Sequence, residues 1–156
     1  MSKSLARVRA ALEAAGEAVQ IVEMPGSTRT AAEAAAAAGC HVDQIAKSII
    51  FRGEDSGHVM LFLTAGGRQV DGARASALAG EALGRADAAL IRAETGFAIG
   101  GVAPVGHLRP LRAFFDPRLA EFAQVWAAAG TPRHIFAIAP DRLLALTGAE
   151  PGDFAG

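Results

Sequence analysis

Ser48-Ile-Ile-Phe51, the turn segment Gly53 to Gly57, and Val59-Met-Leu-Phe-Leu-Thr64 form the stretch on which the fold turns. Two β-branched and aromatic runs on either side of a short glycine-bounded connection predict a β-hairpin. Just upstream, Asp43 opens a short helical turn in which Ile45, Ala46 and Ile49 offer an apolar face. Just downstream, Gly66-Gly67 supplies a second turn. Lys47 stands where the helical turn passes into the first strand. Only Lys3 and Lys47 among the 15 basic residues are lysines, so an interior lysine stands out in an arginine-using chain.

Working outward, Leu5, Val8, Leu12 and Ala15 fall at helical spacing over Ser4 to Ala15, with Gly16 as the stop. Val19 to Met24 reads as a strand closed by Pro25-Gly26. Thr30 and Glu33 have the spacing of a capping box, so the alanine-rich run to Ala38 is a helix ended by Gly39. Beyond the hairpin, Val70 ends a short strand and Arg74 to Leu83 is a helix closed by Gly84. Ala88 to Ile91 is a short strand, and Arg92 to Thr95 is a turn of helix ending at Gly96. Leu111 to Phe115 is a strand stopped by Asp116-Pro117. Leu119, Phe122, Val125 and Trp126 mark a helix face closed at Gly130. His134 to Ala139 is a strand, and Pro140 with Asp141 opens a last helix through Leu143, Leu144 and Leu146. Short strands interleaved with short helices predict a mixed α/β (α+β) fold, with a central curled, partly barrel-like mixed sheet surrounded by helices. With no linker or repeat in view, residues 1–156 read as one domain.

Composition narrows the function classes. Hydrophobic residues make up 51% and charged residues 20% of the 156, which suits a folded core rather than a disordered chain. No apolar run has the length of a membrane span, and the N-terminus shows no signal-peptide core. Cys40 is the single cysteine and reads as a small hydrophobe at a helix end. A cytoplasmic protein is the expectation, without disulfides and without membrane contact. The net charge of -1 argues against nonspecific binding to long nucleic acid such as DNA, while leaving room for a local contact to one RNA end. Gly66-Gly67 and Gly100-Gly101 lie in neither a dinucleotide-binding nor a phosphate-loop pattern, and no nucleophile elbow is present. His41, His58, His107 and His134 lack metal-ligand spacing, so no metal or cofactor is expected.

Two features remain. Ile99-Gly-Gly-Val-Ala-Pro-Val-Gly106 has no helical or strand period and reads as an ordered loop. It is either a tight connection or a segment that lets a ligand approach the main chain. Lys47, flanked by apolar runs, is either a solvated surface residue or the polar member of a pocket, where an ammonium can meet phosphate, ribose or a developing oxyanion.

Thr30-Ala-Ala-Glu-Ala-Ala, Gln44-Ile-Ala-Lys-Ser-Ile-Ile-Phe-Arg52 and Gly100-Gly-Val-Ala-Pro-Val-Gly106, in that order, resemble the YbaK and prolyl-tRNA synthetase-associated editing domain family. Ala129-Gly-Thr-Pro-Arg-His-Ile-Phe-Ala-Ile-Ala-Pro140 and Leu143-Leu-Ala-Leu-Thr-Gly148 resemble its free-standing members, so the similarity runs from about residue 4 to 150. The resemblance implies hydrolysis of the ester joining a noncognate amino acid to the 3′ end of tRNA, typically tRNA for proline. It implies that Lys47 holds the phosphate or ribose end of the substrate. Gly100 and Gly101, with the loop through Pro104, are expected to lie against the aminoacyl ester. Thr30, Phe51, Arg52, Val102 and His134 are further expected pocket positions, Thr30 doubling as a helix cap. The family route is substrate-assisted, with a ribose hydroxyl orienting water and no metal. A small substrate amino acid is implied: alanine, 2-aminobutyrate, serine, threonine or cysteine. A free-standing member lacks a fused tRNA-recognition domain, so prolyl-tRNA synthetase or another tRNA-binding protein is an expected partner. Two other readings stay open: a noncatalytic module that binds an aminoacylated end or a synthetase, and a hydrolase of another small acyl ester.

Overall fold

The structure, a computed structural model, describes residues 2–156. Helix α1 (Lys3–Ala14) begins at Ser2, whose hydroxyl accepts the Leu5 N–H, and it buries Leu5, Val8 and Leu12. Strand β1 is shorter than the sequence suggests, Ile21–Glu23. Thr30 and Glu33 form the expected capping box at the head of helix α2 (Ala31–Ala38), and Gly39 ends it with φ of 70°. Cys40 then packs, partly buried, against the Ala34 and Ala35 cluster. A 3-10 turn over Val42–Gln44 leads into strands β2 (Ala46–Gly53) and β3 (Val59–Ala65). They pair as the expected antiparallel hairpin. Every residue of β3 is buried, because it is covered on both faces. Val59, Leu61, Leu63 and Ala65 enter the main core, and Met60 and Phe62 enter a second one with Phe114 and Phe154. A near-continuous apolar run is what such a strand requires.

Several expectations are corrected further along. Helix α3 is Gly72–Ala79 rather than Arg74 to Leu83, since the Asp71 carboxylate caps its start and Gly80, at φ of 77°, ends it. Leu83–Arg85 is instead strand β4, paired with the end of β2. Ala88 to Ile91 is no strand: Asp87 accepts the Leu90 N–H at 2.8 Å, and one helix, α4, runs through Ala88–Thr95. Strand β5 (Ala113–Phe115) follows, then a 3-10 helix at Pro117–Glu121. The expected helix through Val125 and Trp126 is strand β6 (Val125–Thr131), with Val125, Ala127 and Ala129 turned inward. It is paired with β7 (His134–Ile138). Helix α5 (Pro140–Thr147) starts at proline as expected. A two-residue strand, β8 (Glu150–Pro151), has no counterpart in the sequence reading. Val70 makes only an isolated bridge to Ala155.

The strands form a five-stranded sheet, β4-β2-β3-β5-β8, and a three-stranded sheet, β1-β7-β6. The β3–β5 and β5–β8 pairs are parallel and the others antiparallel, so the larger sheet is mixed. A parallel bridge between Ile45 and Trp126 joins the two sheets at one margin. The main core lies between them, with Leu61 and Leu63 from one sheet meeting Val125, Ala127 and Phe136 from the other. The result is the expected mixed α/β fold, with short helices flanking a central β-sheet core.

Candidate functional site

Where the two sheets approach without pairing, a gap opens. The Gly53 N–H donates to the His58 carbonyl at 2.9 Å. By the alternation of an antiparallel ladder, Lys47, Ile49 and Phe51 then hydrogen-bond toward β3, while Ser48 and Ile50 turn their peptide groups to the opposite edge. Strand β4 covers that edge only opposite Phe51 to Gly53. Beyond it stands β6, itself paired on one side by β7. Between β2 and β6 lies a cavity of about 510 Å³, bounded also by the start of α2 and by the loop after α4.

Lys47, Thr30, Gly100 and Val102 all line this cavity. Lys47 is half-buried, and its Nζ donates to the Gly66 carbonyl at 3.2 Å. The Gly66-Gly67 turn is seated closely: a Cβ at Gly66 would run into the Val42 carbonyl oxygen. The Gly67 N–H donates to Asp43 Oδ1 at 2.8 Å, and Arg118 Nε donates to Asp43 Oδ2 at 3.0 Å. Burial lowers the Lys47 pKa from its usual 10.5, and the charges of Asp43 and Asp116 oppose that fall. Beside Lys47, the buried Ser48 Oγ has no hydrogen-bond partner among the described residues.

The glycine loop begins with a turn in which the Gly101 N–H donates to the Ala98 carbonyl at 3.0 Å. Gly100 occupies its third position at φ of 89°, a conformation that favours glycine. Among the described residues no acceptor meets the Gly100 N–H. The Arg29 side chain lies against Gly100, where a Cβ would be 2.5 Å from its Cγ. Gly101 packs behind, on the main chain of the β6–β7 turn, where a Cβ would be 3.0 Å from the Thr131 carbonyl carbon. Val102, Ala103 and Val105 are buried. His107 donates through Nε2 to the Ala103 carbonyl at 2.7 Å. Burial lowers its pKa from 6.5, against that hydrogen bond and with the help of the Arg7 charge, which favours the neutral ring.

The remaining sequence-derived positions are not brought to the cavity wall. Gly101 and Pro104 belong to the loop but stand behind its lining residues. Phe51 sits in the second core, edge-on to Phe62 with ring centroids 5.6 Å apart. Arg52 pairs with Glu54 at 3.2 Å on the surface. His134 is held by Thr131 Oγ1 at 2.6 Å and Glu23 Oε2 at 3.1 Å. Thr30 reaches the wall, yet its hydroxyl is engaged with Glu33 Oε1 at 3.1 Å. Conversely, Arg29, Ser48, Arg85 and Trp126 line the cavity unannounced. Trp126 has helical spacing with Phe122 in the sequence but lies on strand β6, which carries it to the cavity. Which edge the Ser48 main chain faces follows from the β2–β3 register and from where β4 stops, and both are set by strand pairing. Three cations, Arg29, Lys47 and Arg85, and no carboxylate line the cavity among the described residues. No group of three or more His, Cys, Asp or Glu side chains gathers as a metal would need among those residues. No helix there is long and apolar enough to cross a membrane.

Residues 26–152 match the model of the aminoacyl-tRNA editing domain family. A solved structure described as a candidate trans-editing enzyme for prolyl tRNA synthetase is 48% identical, superposing with a TM-score of 0.93 over 100% of this chain and 99% of that one. The structure of hypothetical protein APE2540 is 27% identical, with a TM-score of 0.88 over 96% of this chain and 99% of its own. The uncharacterized protein YwhH of Bacillus subtilis (strain 168) is 29% identical over 123 residues, 79% of this chain and 78% of that protein. With the glycine loop and Lys47 on one cavity inside the matched span, the chain belongs to the aminoacyl-tRNA editing domain family, the YbaK and prolyl-tRNA synthetase-associated group.

Proposed function

We propose that this chain hydrolyses the ester bond of mischarged tRNA for proline carrying a small noncognate amino acid: alanine, 2-aminobutyrate, serine, threonine or cysteine. Family membership supports a general trans-editing hydrolase function and contact with tRNA or a tRNA synthetase. The observation that carries the finer reading is the meeting of Lys47, Gly100 and Val102 on one cavity wall. Three cations without a carboxylate suit the anionic end of a nucleic acid. The apolar surface of Ala34, Ile50 and Trp126 suits a small uncharged side chain.

An aminoacyl ester is already activated, so positioning and charge stabilisation suffice for its hydrolysis. Lys47 holds the phosphate or ribose end, and the main chain around Gly100 lies against the ester. The neighbouring ribose hydroxyl orients a water whose oxygen bonds to the carbonyl carbon. The resulting oxyanion is stabilised by nearby N–H and ammonium donors. The bond from that carbon to the ribose oxygen then breaks, the proton passing from water to the ribose oxygen, to leave free amino acid and uncharged tRNA. The protein works in the cytoplasm, with prolyl-tRNA synthetase or another tRNA-binding protein delivering the substrate.

The test is a panel of tRNA for proline charged in turn with each of the five amino acids and with proline. Rapid loss of at least one noncognate ester, with the proline ester spared, is expected. Stable esters throughout, with the synthetase added, would turn the reading to a noncatalytic binder or to a hydrolase of another acyl ester.

A further inference from the structure

Three glycines at positive φ, Gly96 (81°), Gly106 (81°) and Gly130 (98°), lie against helix α1. A Cβ at Gly96 would collide with the Arg7 guanidinium. One at Gly106 would be 3.1 Å from the Arg7 carbonyl oxygen, and one at Gly130 would be 2.9 Å from that of Ser4. Gly96 and Gly106 bracket the glycine loop. Arg7 Nη2 donates to the Gly96 carbonyl at 2.5 Å, and Arg7 Nε donates to the Gly106 carbonyl at 3.2 Å. The same guanidinium lies 5.0 Å from the centroid of the Phe97 ring. Its planar fork therefore ties both ends of the loop to one rigid group, a task that a lysine ammonium cannot perform in the same geometry. Among the described residues no carboxylate pairs with Arg7, so the charge is directed at the two carbonyls. Helix α1 also lies outside residues 26–152, the span matched by the family model.

We infer that α1 is a working part of the site and that Arg7 is a positioning residue, closing the loop at its neck and thereby fixing Gly100 and Val102 at the cavity. The inference rests on the proposed deacylation for its catalytic consequence, but not for the closure itself. Arg7→Met removes the donors, and Arg7→Lys keeps the charge without the fork. Amide hydrogen exchange reads the loop without reference to activity. In both variants the Gly101 N–H should exchange at least about tenfold faster, while Leu61 to Leu63 in β3 keep their protection. In deacylation, kcat should fall about tenfold with KM held within about twofold, and methylguanidinium should restore part of the Arg7→Met rate.

Unchanged Gly101 exchange, or exchange that rises only together with that of β3, would overturn the inference. An opened loop with undiminished kcat would overturn its catalytic part. Should the wild-type protein hydrolyse no mischarged tRNA, the proposed function falls, and exchange alone decides whether Arg7 holds the loop.

Discussion

The Lys47 ammonium rests 3.2 Å from the carbonyl oxygen of Gly66, so the lysine at the cavity is tethered to the turn that follows β3. Burial lowers its pKa below 10.5 despite Asp43 and Asp116, and the charged form is lost at lower pH than in a free lysine. Catalysed ester loss, corrected for spontaneous hydrolysis, should therefore decline with rising pH before 10.5 is reached. The residual activity of Lys47→Arg should show no such decline, because a guanidinium stays charged. The stability effect has the opposite sign. With the folded pKa below the unfolded one, the penalty of a buried ammonium is present at low pH and relieved as pH rises through that window. Rate profiles of both proteins on one mischarged tRNA provide the check.

Gly100→Ala should be tolerated by the fold and damaging to the site. Arg29 can swing away from the new methyl group, but φ of 89° strains any residue with a Cβ. A stability loss of about 1–2 kcal/mol is expected in urea denaturation. The relative fall in kcat/KM should exceed the change in KM, since the turn that presents the loop is what moves.

Asp116 is 1% exposed in its side chain and accepts from Arg68 Nη1 at 2.8 Å. It also accepts the Ala65 and Arg118 N–H groups. Arg68→Ala leaves this carboxylate buried with main-chain donors alone, and it also cuts the bond from Arg68 Nη2 to the Ala155 carbonyl. A loss of about 3 kcal/mol is expected in the same assay. A change below about 1 kcal/mol would mean that the pair is solvated in solution.

His107 is favoured as neutral because burial lowers its pKa from 6.5, against its bond to Ala103 and with help from Arg7. The unfolded chain binds a proton more readily, so the stabilising contribution is full above 6.5 and is lost as pH falls toward the folded pKa. The melting temperature should drop across that acidic window, and His107→Gln should flatten that part of the drop.

The hairpin and helix α2 are legible in the sequence because their signals are local. Val59 to Thr64 is apolar enough for a strand buried on both faces, and Thr30 and Glu33 cap within one turn. Helix α4 and strand β6 are not, for different reasons. Ala88 to Ile91 is too short an apolar run to separate helix from strand, and the Asp87 cap decides it. In Val125-Trp-Ala-Ala-Ala129 the alanines carry little periodic signal, and the strand exists through pairing with β7. The site divides likewise. Lys47 and the glycine loop stand out by rarity and composition, and resemblance gives them a task. That Ser48 turns its main chain into the cavity depends on where β4 ends, and the Arg7 clamp depends on how α1 docks. Both are consequences of tertiary packing.

The most direct measurement is single-turnover hydrolysis of alanine-charged tRNA for proline by the wild-type protein, Lys47→Ala and Lys47→Arg, with native folding of each checked by amide exchange in β3. Placement of the substrate by a lysine ammonium predicts a loss of about a hundredfold or more in Lys47→Ala and a large loss in Lys47→Arg. Wild-type hydrolysis that persists in a folded Lys47→Ala would contradict the assignment of Lys47 to the reacting site.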